Sequence, residues 1–313
     1  MKPYILTVTL NPAIDKTVSV PGFKVGEDFR EQALSISAGG KGINVSRVLR
    51  RLGVDTRATG FIGGYCGSYI ERQLRKEGIN YDFTQVKVNT RTSLTIIDSR
   101  LNTITRVLER GGTIKKVELN SFRKKFLSLL KGAKVVVLSG RNIPGVQDSF
   151  YAELIDVAKK KGAVTIFDTS GPAFTVGLKK KPFMIKPNLA EVEQILADKL
   201  VSLAKIKKAA YSLYKRGVKI VAITMGSRGA VLFNGKDMVL AVPPKLRRRS
   251  PVGCGDAFIA GFISSFIKNS SFPECARMAV SCGAANALSI NPGFIKPATV
   301  KKIFKQVKID SIS

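Results

Sequence analysis

Short apolar runs and amphipathic stretches alternate along most of the 313-residue chain. The apolar runs are rich in β-branched residues, and most end at Gly, Asp, Pro or Asn, which is typical of buried strands bounded by turns. The predicted strands are Tyr4–Leu10, Thr56–Ile62, Lys134–Leu138, Val164–Phe167, Phe183–Ile185 and Lys219–Thr224.

Apolar residues at helical spacing fill many of the intervals between these runs. The first such set, which predicts a helix after a glycine cluster, is Val45, Val48, Leu49 and Leu52. Two more sets end before Lys161-Gly162 and Arg216-Gly217, where we expect helices to stop. This strand–helix alternation predicts an α/β fold with a doubly wound, mostly parallel sheet, and we expect one domain over residues 1–313.

Two segments break the alternation and show a period of two instead. Thr17–Ser37 and Thr92–Glu109 each resemble an antiparallel ribbon. Each lies beside a strand–helix unit, so we predict a small β-sheet lid formed by insertions at about residues 14–37 and 88–110. A third hairpin is predicted at Ala230–Ala241, with its turn at Asn234-Gly235.

The charge balance is strongly basic and points to anionic partners. The chain has 52 Lys and Arg against 22 Asp and Glu, a formal net charge of +30. Phosphorylated metabolites and nucleic acid are both candidates. The charge is spread through predicted helices, as at Arg47, Arg50 and Arg51, without a basic tail, which favours solvated helix faces for most of it. A nucleic-acid-binding protein is therefore the weaker alternative, because no binding motif is present.

Several classes of protein are excluded by composition. The chain has no histidine, so Ser-His-Asp triads, histidine bases and histidine metal ligands are impossible. Its four cysteines include no Cys-x-x-Cys pair and fit a reducing compartment. The apolar run within Met1–Leu10 is too short for a signal peptide, and Ala257–Ile267 is too short to cross a bilayer. We expect a cytoplasmic protein without a membrane partner.

A glycine loop that leads into a buried helix carries the first candidate chemistry. Gly253 and Gly255 flank Cys254, and Asp256 stands at the start of the helix. Main-chain amides at a helix start can hold developing negative charge, and a carboxylate beside them can take a proton from a hydroxyl. Two alternatives stay open: Asp256 as a first-turn acid that only stabilises the helix, and Cys254 as a nucleophile without a histidine base.

Three weaker motifs accompany it. Ser37–Val45 places glycines before a helix, which suits an anion but also suits a plain turn. Asn188 and Glu191 lie three residues apart at a helix start, where they suit either a hydrated Mg²⁺ or a capping box. Thr224–Gly229 offers small residues after a buried strand, where a flat ligand has room.

Taken in order, these motifs resemble the ribokinase-like (phosphofructokinase B) family of sugar kinases. The resemblance runs from Thr7 to about Ile295. It rests on Ala38–Val45, on Asn188 with Glu191, and on Gly253–Asp256. The opening Thr9–Asp15 and the loop Ala-Gly-Gly-Lys-Gly-Ile-Asn also resemble the branch of 1-phosphofructokinase and tagatose-6-phosphate kinase.

The resemblance implies a role for each matching residue. Asp256 would be the catalytic base, with Gly253, Cys254 and Gly255 forming the anion hole. The residues expected to bind the sugar phosphate are Asp15, Gly39, Gly40, Lys41, Asn44, Arg91, Arg106 and Ser139, with Arg30 a weaker candidate. The residues expected at the nucleotide are Lys186, Asn188, Glu191, Thr224, Gly226 and Gly229. Of these, Asn188 and Glu191 would organise Mg²⁺ through water.

The implied activity is ATP- and Mg²⁺-dependent phosphorylation of a ketohexose phosphate. Fructose 1-phosphate is the first expectation, with tagatose 6-phosphate and fructose 6-phosphate as alternatives. Departures at Pro251 and Arg141 leave a catalytically weakened sugar-phosphate-binding pseudokinase as an alternative from another class, and Cys254 is a further departure of modest size. The resemblance also implies a homodimer through the lid, and leaves open a monovalent cation near Val252 and Asn291.

Overall fold

The computed structural model describes residues 3–312 of the chain. The strands are β1 Tyr4–Thr9, β2 Ala13–Ser19, β3 Ala33–Gly39, β4 Thr56–Ile62, β5 Asn80–Tyr81, β6 Thr84–Gln85, β7 Arg91–Asp98, β8 Thr103–Leu108, β9 Ala133–Ser139, β10 Val164–Asp168, β11 Met184–Ile185, β12 Ile220–Thr224, β13 Ala230–Phe233, β14 Met238–Val242 and β15 Lys308–Ser311. The α-helices are α1 Lys41–Arg51, α2 Gly64–Lys76, α3 Lys116–Leu130, α4 Phe150–Lys160, α5 Pro172–Leu178, α6 Leu189–Leu196, α7 Leu203–Lys215, α8 Cys254–Phe266, α9 Phe272–Ala287 and α10 Pro297–Phe304.

A large mixed sheet forms the centre of the molecule, with strand order β15-β14-β13-β12-β11-β10-β9-β1-β4-β5 and β6 also paired to β4. Strands β4, β1, β9, β10, β11 and β12 pair in parallel, while β12 to β15 pair antiparallel. The parallel strands alternate side chains between two hydrophobic clusters, as Leu6 and Ile5 do in β1. Helices α3 to α7 contribute to one cluster and α1, α8, α9 and α10 to the other, which confirms the doubly wound α/β prediction.

The predicted elements of the large sheet are confirmed with small changes at their ends. All six predicted strands are present, and the shortest, Phe183–Ile185, is reduced to Met184–Ile185. The predicted hairpin forms from β13 and β14, where Asn234 Oδ1 accepts from the main-chain amides of Lys236 and Asp237. The run Met1–Leu10 begins outside the described residues, and from Tyr4 it forms β1. No helix within residues 3–312 is long and apolar enough to cross a membrane.

The smaller sheet is the predicted lid, in the order β3-β2-β7-β8. Each insertion forms an antiparallel ribbon, and the two ribbons join through a parallel pairing of β2 with β7 that sets Asp15 opposite Ser93. β1 leads into this sheet through β2, and β3 leads out of it directly into α1. The lid is therefore connected at both ends to the edge of the large sheet where the candidate site lies.

Candidate active site

The candidate site lies where the carboxyl ends of the parallel strands meet the first turns of three helices. β10 ends at Asp168, and Lys186 follows β11 directly. Helix α1 begins at Lys41, α6 at Leu189 and α8 at Cys254. This edge of an open α/β sheet is where ligands generally bind, because helix starts and loops there leave main-chain amides unpaired.

Two glycines shape the start of α8. Gly253 has a φ of 80°, and a Cβ there would lie 2.8 Å from Pro292 Cβ. A Cβ on Gly255 would lie 3.0 Å from Nζ of Lys186. The Cys254 amide donates weakly to the carbonyl of Pro251 at 3.4 Å, whereas first-turn amides beyond it have no partner inside the helix. The helix start therefore presents main-chain donors beside an ammonium group.

Asp256 is buried in the first turn of α8, with 5% of its surface exposed. Asn44 Nδ2, from α1, donates to Asp256 Oδ2 at 2.8 Å. Burial raises the pKa of Asp256 to about 6, with Asp168 adding to the rise while Lys41 opposes it. A carboxylate with a pKa near neutrality is ionised at pH 7 and basic enough to accept a proton from a reacting hydroxyl.

Asp168 joins two lysines across the centre of the site. Lys41 Nζ lies 3.3 Å from Asp168 Oδ2, and Lys186 Nζ lies 3.4 Å from Asp168 Oδ1. Burial alone would raise the pKa of Asp168, but the two ammonium groups outweigh it and hold the pKa below its usual value. Burial also opposes the charge on Lys41, yet the nearby carboxylates of Asp168, Asp256 and Glu191 raise its pKa. The Lys41 ammonium is therefore stabilised beside Asp256.

Asp15 marks the lid side of the site. A Cβ on Gly39 would lie 2.1 Å from Asp15 Oδ2, so only glycine allows this close approach. Burial raises the pKa of Asp15, while Arg106 and Arg91 oppose the rise. Asp15 therefore sits among positive charges that the two lid ribbons bring together.

The two lid arginines differ in their hydrogen bonds to the rest of the protein. Arg91 donates to the main-chain carbonyls of Asn11 and Glu109 and to Ser93 Oγ, with distances from 3.1 to 3.3 Å. Burial is the main cause that lowers the pKa of Arg91. Arg106 is exposed on β8. The guanidinium of Arg106 therefore faces solvent, whereas that of Arg91 is hydrogen-bonded to main-chain carbonyls of the lid and of the loop before it.

The ammonium of Lys41 contacts Asp168 in the centre of the site. Gly40, before it, has a φ of 123°, and a Cβ there would lie 2.6 Å from Thr9 Cγ2. Ser139 ends β9 opposite Asp168, is fully buried, and has an Oγ without a hydrogen-bond partner among residues 3–312. Arg30 is exposed in the loop between β2 and β3.

Asn188 and Glu191 form a capping box at the start of α6. The Glu191 amide donates to Asn188 Oδ1 at 3.0 Å, and the Asn188 amide donates to Glu191 Oε2 at 2.9 Å. These bonds leave Glu191 Oε1 available to a ligand. Within the described residues no group of three or more acidic or thiol side chains could hold a metal. The residues fit a Mg²⁺ ion bound mainly by water and phosphate oxygens, the usual case for Mg²⁺ at nucleotide sites.

The segment after β12 borders the site on the side of α6. The Thr224 amide donates to the carbonyl of Pro187 at 3.0 Å. Gly226 opens a short 3₁₀ turn, Gly226–Arg228, with open space where its Cβ would be. Packing and backbone conformation explain the glycine at position 229 without a ligand. Its φ is 90°, and a Cβ there would lie 1.9 Å from the carbonyl oxygen of Ala241.

Sequence patterns missed two residues that organise this site. The only feature of the sequence that could have indicated Asp168 is its position, as an acidic residue at the end of a buried strand and before Thr-Ser-Gly. Arg47 was expected on a solvated helix face, and this is wrong: it is 1% exposed. Its charge is neutralised inside the protein by Glu77, with 2.5 Å between Arg47 Nε and Glu77 Oε2, which is the condition for burying a guanidinium.

The chain is similar to known carbohydrate kinases along most of its length. The pfkB family of carbohydrate kinases matches residues 8–299. Tagatose-6-phosphate kinase from Staphylococcus epidermidis is 34% identical over 308 residues, which cover 97% of this chain and 99% of the relative. 1-Phosphofructokinase from Bacillus subtilis is 33% identical over 305 residues, with 97% and 99% covered.

The fold is also similar to that of a solved kinase. Phosphofructokinase-2 from Escherichia coli, in complex with substrates and products, superposes with a TM-score of 0.91 at 27% identity, covering 97% of this chain and 99% of that one. Another structure of the same enzyme is a complex with potassium. The chain thus belongs to the pfkB family of carbohydrate kinases, with the ribokinase-like fold, and is an ATP-using phosphotransferase with an alcohol acceptor.

Proposed function

We propose that this sugar-phosphate kinase transfers the γ-phosphoryl group of ATP to a hydroxyl of a ketohexose phosphate, with fructose 1-phosphate giving fructose 1,6-bisphosphate. The observation that carries the proposal is the position of Asp256, a buried carboxylate between a helix start and two lysines. The relatives named 1-phosphofructokinase and tagatose-6-phosphate kinase support the substrate class. Tagatose 6-phosphate and fructose 6-phosphate are the nearest alternatives.

In the proposed reaction Asp256 is the general base. Its Oδ2 is held by Asn44, so Oδ1 is the oxygen that accepts the proton of the sugar hydroxyl. The hydroxyl oxygen forms a bond to the γ-phosphorus as the bond from that phosphorus to the leaving oxygen of ADP breaks. Because its pKa is about 6, Asp256 is protonated in more acidic solution, and kcat/KM should fall below that pH.

Charge on the migrating phosphoryl group would be balanced by main-chain and side-chain donors. The start of α8, at Gly253, Cys254 and Gly255, offers amides, and Lys41 and Lys186 offer two ammonium groups. Such fixed donors stabilise a transition state without having to reorganise as it forms. We assign Lys41 to this centre as well as to the sugar phosphate, because its ammonium faces Asp168.

The sugar phosphate would lie between the lid and α1. We assign Asp15, Asn44 and the Gly39-Gly40 backbone to its hydroxyl groups, and Ser139 to the floor of the site. Arg91 and Arg106 would meet its existing phosphate, since guanidinium groups bind phosphate through paired hydrogen bonds. Their joint effect on Asp15 supports this grouping.

The nucleotide would lie along α6 and the turn after β12. We assign Lys186 to its phosphates, and Thr224, Gly226 and Gly229 to the rest of the molecule. Glu191, with Asn188, would hold Mg²⁺ through water; when bound, the ion would neutralise phosphate charge. The potassium complex of the Escherichia coli enzyme supports a monovalent cation near Val252 and Asn291 here.

We treat the chain as one domain with its lid. Exposed apolar side chains on the lid favour a homodimer formed through it. These exposed residues are Leu34 and Ile36 on β3, with Val107 and Leu108 on β8. They lie on the two edge strands of the lid sheet, where exposed apolar side chains can mark an interface. Sedimentation equilibrium should give a mass twice that of the chain, and Ile36→Lys should shift it to the monomer; a monomeric wild type would contradict the assignment.

A coupled ADP-release assay tests the substrate directly. Fructose 1-phosphate should give the highest kcat/KM, with tagatose 6-phosphate and fructose 6-phosphate lower and free fructose lowest. Preference for free fructose would overturn the sugar-phosphate assignment. Sugar-phosphate binding without ADP release from any of the four would favour the non-catalytic alternative that Pro251 suggests, since proline lacks an N–H at the edge of the anion hole.

A further inference from the structure

Arg47 is a buried arginine outside the proposed reaction centre. It hydrogen-bonds to Asn44, which in turn hydrogen-bonds to Asp256. Arg47 on α1 uses all of the five N–H groups that a guanidinium carries. Nε and Nη2 donate to the carboxylate of Glu77, at 2.5 and 3.1 Å. Nη2 also donates to the carbonyl of Ala38 at 2.6 Å, and Nη1 donates to the carbonyl of Pro292 at 3.1 Å and to Asn44 Oδ1 at 2.9 Å.

The bond to Asn44 fixes which end of that amide meets Asp256. Arginine can only donate, so the atom of Asn44 that faces Arg47 must be the carbonyl oxygen Oδ1. The NH₂ group then points the other way and donates to Asp256 Oδ2 at 2.8 Å. A donor at this position favours the ionised carboxylate, whereas a flipped amide would set two acceptors against each other.

We propose that Arg47 is a positioning residue for phosphoryl transfer, because it holds the Asn44 amide in the orientation that keeps Asp256 ionised and aimed. The inference rests on the proposed role of Asp256 as the base. Arg47 contacts neither Asp256 nor the groups that would meet the substrate phosphate, and it reaches the Asp256 carboxylate through Asn44, which bonds to both.

Two further bonds of Arg47 join segments that border the same site. Ala38 lies in β3, one residue before the glycine that contacts Asp15. Pro292 lies against Gly253, where a Cβ would meet it at 2.8 Å. The guanidinium also stacks on Phe294, 4.8 Å from the ring centroid. One side chain thus links the end of the lid strand, the helix that carries Asn44, and the loop behind the anion hole.

Other charged groups around Asp256 remain in place when Arg47 changes. They are Lys41 from α1, Asp168 from β10, Lys186 after β11 and the Cys254 thiol on α8 itself. Burial raises the pKa of Asp15, and Arg47 is among the groups that oppose the rise, so only the comparison with an Asn44→Ala background assigns a shift of the acidic limb to Asn44.

The first test compares Arg47→Met with Glu77→Gln. Both variants remove the buried ion pair, but only Arg47→Met frees the Asn44 amide to rotate. We expect Arg47→Met to lower kcat at pH 7 by about 10- to 100-fold and to move the acidic limb of the kcat/KM profile upward by about one pH unit. Glu77→Gln should lose thermal stability while keeping kcat and the acidic limb close to those of the wild type. Equal shifts in both variants would overturn the inference.

A double-mutant cycle shows whether the effect passes through Asn44. In an Asn44→Ala background, Arg47→Met should no longer move the acidic limb, because the amide that transmits the effect is absent. The same shift in both backgrounds would overturn the inference. If Arg47→Met does not fold, Arg47→Lys takes its place. An ammonium can keep the pairing with Glu77 but lacks the planar fork that also reaches Asn44, so the same shift is expected.

Failure of the inference can be separated from failure of the proposed function. If Asp256→Asn abolishes turnover while Arg47→Met leaves the acidic limb in place, only the role of Arg47 is wrong. If Asp256→Asn turns over like the wild type, the base itself is wrong.

Discussion

Lys186 and Gly255 lie so close that a Cβ on the glycine would come within 3.0 Å of the lysine ammonium. The contact joins the residue that follows β11 to the first turn of α8. It places the Lys186 ammonium beside the main-chain amides at the start of that helix. Gly255 has no positive φ, so its backbone would accept a side chain without strain. The glycine is therefore required by what lies next to it.

Replacing Gly255 with alanine should separate function from folding. Alanine favours helices, but its methyl group would push the Lys186 ammonium away from Asp168, so Gly255→Ala should still fold, with a modestly lower Tm. We expect kcat to fall by roughly 10²-fold, because the methyl group displaces Lys186 and narrows access to the amides. Steady-state kinetics and thermal unfolding check both halves; wild-type kcat in a folded Gly255→Ala protein would contradict the proposed anion hole.

The ionisation of Asp256 should cost stability at neutral pH. Its pKa of about 6 in the folded protein lies above the unfolded value of 3.8, so the folded state binds the extra proton between these values. The protein therefore loses stability as pH rises through this window, by about 3 kcal/mol. Asp256→Asn should raise the free energy of unfolding at pH 7 by up to that amount, with the gain vanishing near pH 4. Urea titrations at both pH values measure the free energy of unfolding. A lower stability of Asp256→Asn than of the wild type at pH 7 would show that burial does not destabilise the ionised carboxylate.

Asp168→Asn should have the opposite effect on stability. The pKa of Asp168 is held low by its two lysines, so its contribution is present above the unfolded pKa and is lost as pH falls. Removing its charge leaves Lys186, which is nearly buried, unpaired, and we expect a loss of about 3–5 kcal/mol at pH 7. Asp156→Asn is the matched control, because its ion pair with Lys180 is partly exposed and should contribute less than about 1 kcal/mol. Equal losses in the two variants would refute the central role of Asp168.

The sequence predicted the parts of this protein that depend on local patterns. The spacing of Val45, Val48 and Leu49 predicted helix α1, although the helix is buried on every side from Gly42 to Leu49. The two lid ribbons were predicted from their period of two, but their parallel pairing through Asp15 and Ser93 joins residues far apart in the chain, which no local pattern encodes.

The site itself depends on single residues whose surroundings come from several elements. Asp168 is one acid at a strand end, and only the folded sheet reveals the lysines on either side of it. Arg47 belongs to a helix rich in basic residues, so its pattern is that of a solvated face. Its burial follows from Glu77 at the end of α2 and from main-chain carbonyls on β3 and after α9.

The two lid arginines should separate binding from stability. Arg106→Ala should raise KM for the sugar phosphate by about 10- to 100-fold with little change in KM for ATP or in Tm, because its guanidinium is exposed. Arg91→Ala should raise the same KM and also lower Tm, since it holds the carbonyls of Asn11 and Glu109. Initial-rate kinetics with each substrate varied give these constants. If Arg106→Ala changed both KM values alike, Arg106 would not be a ligand of the sugar phosphate.

The central claim is that Asp256 removes the proton from the attacking hydroxyl. Asn at this position keeps the size of the side chain and can still accept a hydrogen bond from Asn44, so the site should remain assembled. The most direct measurement is kcat of Asp256→Asn with fructose 1-phosphate and ATP at pH 7.5. We predict a loss of roughly 10²–10⁴-fold in a protein that still binds both substrates; turnover within a few-fold of the wild type would contradict the claim.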